Sequence, residues 1–134
     1  MELGIVWNQL RASRGSLIWG RAHGGPRRLL YTRGMADAPL LTVFAEVHAK
    51  PGKEQALRDA LTALVPITRK EAGYVQYDLH VDNDDPGHFF FYENWVSRAH
   101  LDAHLAAPHL TDFLSRAEEL LAEPARLVFA TKLG

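Results

Sequence analysis

The most constraining feature of the chain is a hairpin signature in its middle. Residues 74–82, YVQYDLHVD, carry Val75, Tyr77, Leu79 and Val81 at every second position, the period of a β-strand. The run Asp82-Asn83-Asp84-Asp85-Pro86-Gly87 follows as a concentrated turn signal. His88 to Trp95, HFFFYENW, then resumes the strand pattern, and its consecutive aromatics give apolar side chains to both faces. An antiparallel pair of these two strands is predicted, and the rest of the fold must be built around it.

On the N-terminal side, residues 40–50 alternate: Leu41, Val43, Ala45 and Val47 against Thr42, Phe44, Glu46 and His48. Pro51-Gly52 ends that strand. From Lys53 to Ala72 the apolar pairs Ala56/Leu57, Ala60/Leu61 and Leu64/Val65 recur with helical spacing. Pro66 predicts a kink or break in the last turns, and Gly73 stands where a C-cap glycine belongs. On the C-terminal side, Ser97 is a suitable N-cap, with Val96 and Leu101 placed as a hydrophobic staple. Pro108 suits the first turn of a further helix, whose stripe is Leu110, Phe113/Leu114, Ala117 and Leu120/Leu121. Pro124 closes it, and 126–133 reads as a last strand. The order β-α-β-β-α-β predicts an α+β, ferredoxin-like split β-α-β fold with a four-stranded antiparallel sheet. Apolar residues on both strand faces call for a cover over the face away from the helices. A second copy of the chain is the simplest cover, so a homodimer is expected.

Charge divides the chain. Residues 1–34 hold six arginines and one acid, whereas residues 35–134 hold nine basic and fifteen acidic side chains. An acidic domain is a poor partner for phosphate backbones, which argues against nucleic acid. The arginine-rich stretch has the composition of a transit peptide or a basic arm, but Met35 runs directly into the first strand as a start would. Residues 1–37 are therefore read as an unstructured basic extension and 38–134 as the folded domain. The absence of cysteine removes disulfides, thiolate nucleophiles and cysteine-ligated metals. With no apolar run long enough to span a bilayer, a soluble cytoplasmic protein without a membrane partner is expected.

Several segments carry a family resemblance: LTVFAEVHAKPGK, VPITRKEAG, FFFYENW and, most specifically, WVSRAHLDAHLAAPHL. Over about residues 40–134 they resemble the antibiotic biosynthesis monooxygenase family, most of all its quinol-monooxygenase branch. The C-terminal run SRAEELLAEPARLVFATKLG is similar to autoinducer-2-processing relatives on the same scaffold. The resemblance implies a dimeric α+β barrel, a pocket between sheet and helices, and oxygenation without flavin or metal. It makes haem degradation a poor fit, because Val47 replaces an asparagine beside Glu46 and Ala103 or His104 replaces a helix tryptophan.

Six of the seven histidines lie in the domain, three of them close together at His100, His104 and His109. His104 borders the apolar stripe of Leu101 and Leu105, and His109 lies one turn from Phe113. An imidazole at an apolar wall would accept a phenolic proton. The candidate catalytic residues are thus His104 and His109. Tyr92, Asn94, Trp95, His48 and Phe113 are candidate substrate contacts. Histidines at i and i+4 raise a metal site, with Asp102 or Asp112 to complete it. However, Asp102 falls on another helix face and Pro108 separates His109 from the first helix, so no metal and no cofactor are expected. The expected reaction is cofactor-independent monooxygenation of a small quinol or electron-rich aromatic by O₂. The alternatives are an isomerase or processing enzyme for a small phosphorylated metabolite, requiring Arg98, Arg116 or Arg126 to face inward, and a non-catalytic dimeric ligand-binding protein.

Overall fold

The computed structural model describes residues 38–134. The expectation of a basic extension over residues 1–37 lies outside them. The element order is β1 (Leu41–His48), α1 (Glu54–Thr68), β2 (Tyr74–Val81), β3 (His88–Trp95), α2 (Arg98–Leu105), α3 (Pro108–Ser115), α4 (Ala117–Leu120) and β4 (Arg126–Thr131). The strands form one antiparallel sheet in the order β2-β3-β1-β4. This is the ferredoxin-like α+β arrangement the strand pattern predicts.

The hairpin closes at the acidic turn through local geometry. Asp82 Oδ1 accepts from the Asp84 amide at 2.9 Å and Asp85 Oδ1 from the Gly87 amide at 2.9 Å, the habit of aspartate in turns. Alternation then decides the faces of the sheet. Val43, Ala45, Val47, Tyr77, Phe89, Phe91 and Trp95 are buried beneath the helices. α1 brings Leu57, Leu61, Leu64 and Thr68 onto them, a spacing of four, three and four residues that keeps one stripe facing inward. α2, α3 and α4 complete the layer with Leu101, Leu110, Phe113, Ala117 and Leu120. Ser97 caps α2 by accepting from the His100 amide, and Pro108 begins α3 at its first turn, as expected.

The end of α1 differs from expectation. Helix geometry continues through Pro66 to Thr68, and the chain then unwinds in tighter turns, Lys70 to Ile67 at 3.1 Å and Glu71 to Thr68 at 3.0 Å. Gly73 therefore does not cap the helix but lies five residues beyond it. Its positive φ of 79° sits in the turn into β2, where an added Cβ would meet the His100 ring at 2.1 Å. This unwound turn lifts Glu71 off the helix.

The other sheet face carries Thr42, Phe44, Glu46 and His48 opposite His88, Phe90, Tyr92 and Asn94. Within one chain it is incompletely covered: Phe44 is 49% exposed, Val128 41% and Phe90 36%. Among the described residues, no helix is long and apolar enough to cross a membrane.

Candidate active site

Three polar side chains converge under the helices. Glu71 comes from the unwound turn, His104 from α2 and His109 from α3. His104 is 2% exposed, and its Nδ1 lies 2.8 Å from Glu71 Oε2. His109 Nε2 lies 2.9 Å from Glu71 Oε1 and 3.2 Å from Thr68 Oγ1. The first of these two contacts is proximity without alignment. The ring nitrogen is directed at Thr68, and Glu71 Oε1 is left buried without a hydrogen bond.

Aromatic walls hold the cluster. The His104 ring sits 4.7 Å from Trp95, 5.3 Å from Tyr77 and 5.9 Å from His109. Thr68 Oγ1, paired with His109 Nε2, joins the cluster to the end of α1. Glu93 is buried on the same face of β3, and its Oε2 accepts from Trp95 Nε1 at 3.0 Å.

Burial sets the protonation states. Desolvation pushes His104 down to about 3, with His109 adding to the effect, so its ring is a neutral imidazole. His109 is lowered by desolvation as well. Desolvation raises Glu71 to about 7. Glu93 is also raised to about 7, by burial first and then by the charge of Glu71, against the opposing hydrogen bond from Trp95. A carboxylate titrating near neutrality beside two neutral imidazoles exchanges protons readily at physiological pH.

The residues named from sequence separate into two groups. His104, His109, Trp95 and Phe113 lie on the helix side of the sheet. Tyr92, Asn94 and His48 lie on the opposite face. Asn94 there accepts from Thr42 Oγ1 at 2.6 Å and donates to Gln76 at 2.9 Å, forming a ladder across three strands. Tyr92 packs against Phe44 with the rings tilted, and His48 stacks on His88 at 3.8 Å. Glu71 and Glu93 escaped the sequence reading. Glu93 was visible in principle, since it shares the two-residue period of Phe89, Phe91 and Trp95. Glu71 was not, because its position depends on where α1 unwinds.

The cations needed for a phosphorylated substrate do not gather here. Arg98 pairs with Asp102 at 3.3 Å and lies over the Phe129 ring, Arg116 is exposed, and Arg126 is 74% exposed beside Glu46.

Comparison with known proteins agrees with this architecture. The antibiotic biosynthesis monooxygenase family matches over residues 40–116. "Uncharacterized protein sll1783" of Synechocystis is 30% identical over 92 residues, covering 69% of this chain and 62% of that protein. "Probable quinol monooxygenase YgiN" of Escherichia coli K12 is 37% identical over 81 residues, 53% of this chain and 78% of that protein. The crystal structure of PA3566 from Pseudomonas aeruginosa superposes with a TM-score of 0.70 at 36% identity, covering 72% of this chain and 97% of that one. The fold, the order of its strands and the match across more than half its length place this chain in the antibiotic biosynthesis monooxygenase family.

Proposed function

We propose that the protein is a monooxygenase of small quinols or other electron-rich aromatics, needing only O₂ as co-substrate. The observation that carries this reading is the half-buried Glu71 carboxylate, raised to about 7 and held between the His109 imidazole and a His104 ring packed on Trp95 and Tyr77. Glu71 takes the hydroxyl proton of the substrate, with the His109 imidazole 2.9 Å from its Oε1. Neutral His104 orients the carboxylate by hydrogen bonding. The aryl-oxide left behind is electron-rich enough to transfer electrons to O₂. One oxygen atom enters the ring and the other leaves as water; the quinol supplies both electrons and emerges as a hydroxyquinone. The relative named a quinol monooxygenase supports the substrate class.

Oxygen uptake by metal-stripped, flavin-free protein across a panel of hydroquinones tests the proposal. Uptake with hydroxyquinone formation is expected, and Glu71→Gln should lower turnover about 10²–10⁴-fold, the usual weight of a positioned base. Absence of uptake across the panel would reject oxygenation. Retained ligand binding in that case would favour a binding protein instead.

We further propose that the chain works as a homodimer through the sheet face bearing Phe44, Phe90, Tyr92 and Val128, whose exposure in one chain supports this. Tyr92, Asn94 and His48 then serve the interface rather than the substrate.

A further inference from the structure

We propose that Glu71, His104 and His109 form a binding site for one divalent transition-metal cation that prefers nitrogen and oxygen ligands, such as Zn²⁺ or Co²⁺. The proposal stands on donor geometry, independently of the base reading. A cation on Glu71 takes the place of the transferable proton, so the metal-free form is the oxygenase and the metal-bound form does not turn over.

The donor set is two imidazoles and one carboxylate, with their ligand atoms all within 4.8 Å of one another. Nitrogen and oxygen donors sharing one tetrahedral cation at about 2.0–2.2 Å lie about 3.3–3.6 Å apart. The His104 Nδ1 to Glu71 Oε2 and His109 Nε2 to Glu71 Oε1 separations, 2.8 Å and 2.9 Å, place one imidazole at each carboxylate oxygen, a few tenths of an ångström inside that spacing. An ion therefore has to draw the two rings toward each other, spread each nitrogen–oxygen pair slightly and displace the proton shared between His104 and Glu71.

A second observation points to a ligand. Glu71 Oε1 is buried and accepts no hydrogen bond, although His109 Nε2 lies 2.9 Å away. A buried oxygen left so is destabilising, and a cation between it and the imidazole nitrogens would satisfy it. The His104 ring is fixed by packing on Trp95 and Tyr77. Imidazole with carboxylate suits zinc, cobalt, nickel or ferrous iron; calcium and magnesium prefer all-oxygen shells.

The expectation of no metal considered Asp102 and Asp112 as the third ligand. The carboxylate comes instead from Glu71, more than thirty positions away in sequence.

Among the described residues, a second donor set, Glu46, His48 and His88, is less suited. Both His88 nitrogens are engaged, with Glu46 at 2.7 Å and Asp82 at 2.9 Å, and Arg126 lies 3.9 Å from Glu46. Charge there is already balanced.

Titration of the chelator-stripped full chain with Co²⁺, followed by visible d–d absorption and calorimetry, tests the site. One ion per chain is expected. Glu71→Gln and His109→Gln should each weaken binding more than tenfold, beyond the lower end of what losing a supporting residue costs. His88→Gln should leave it unchanged. Far-UV circular dichroism confirms that each variant is folded, and near-isosteric Glu71→Gln decides the matter should His109→Gln unfold. No binding, binding that survives Glu71→Gln, or binding lost in His88→Gln overturns the proposal. Oxygen uptake by the metal-free protein is measured separately, so failure of the oxygenase reading and failure of the metal site are distinguishable.

Discussion

Glu93 occupies a position in β3 where Phe89, Phe91 and Trp95 on either side are packed into the core. Its carboxyl is raised from 4.5 to about 7, chiefly by burial. A carboxyl whose pKa is higher in the fold than in the unfolded chain costs nothing at acid pH. The cost appears as pH climbs through 4.5 and is complete above about 7. Glu93→Gln keeps an oxygen for Trp95 Nε1 and removes that cost. The variant should therefore melt higher than the wild type at pH 8, by up to about 3 kcal/mol of stability, and the gap should narrow toward pH 4.5. Thermal melts at several pH values measure this; a gap that does not change with pH would refute it. At His104, replacement by Ala removes a packed ring and the donor to Glu71 together. That variant should lose about 2–4 kcal/mol of stability, in the manner of other large-to-small core changes, as read from urea unfolding.

At the scale of elements, the turn between α1 and β2 governs the site. Pro66 has no amide hydrogen, so the helix loses a bond near its end and stops two residues later. The tighter turns that follow carry Glu71 to the two imidazoles. Gly73 makes this path possible, since its φ of 79° is strained for other residues and a Cβ would meet His100. Gly73→Ala should therefore cost at least about 1 kcal/mol and should also lower turnover by displacing Glu71. Urea unfolding and kinetics of the same variant check both, and an unchanged stability would show that the turn adapts. The strands, by contrast, were legible: β1, β2 and β3 coincide with the alternating runs, because a two-residue period is local and the Asp82–Gly87 turn fixes the register. Pro66 was visible in sequence. Its consequence was not, because whether a proline kinks a helix or hastens its end depends on what packs against the next turn.

For the whole molecule, the half-covered sheet face is the feature that remains to be accounted for. Phe44→Glu places a charge in the middle of it and should convert a dimer to a monomer while leaving the intrachain core intact. Sedimentation equilibrium decides this; a wild-type monomer would sink the dimer proposal. On the same face His88 lies between Asp82 and Glu46. Burial pulls its imidazole down, but hydrogen bonds to the two carboxylates and their charges outweigh it and leave the value raised. Its stabilising contribution is complete below 6.5 and fades as pH rises through that raised value.

Periodicity, turn chemistry and capping residues determined the element order, the antiparallel sheet and the apolar stripes, because each is set by neighbours within a few positions. His104 and His109 were legible as inward-facing for the same reason. The tertiary structure alone decided which side chains meet. It put Tyr92, Asn94 and His48 on the far face of the sheet from the histidines, and it brought Glu71 across more than thirty residues of chain to complete the cluster. Such meetings depend on where a helix ends and on how layers stack, and no local spacing records either.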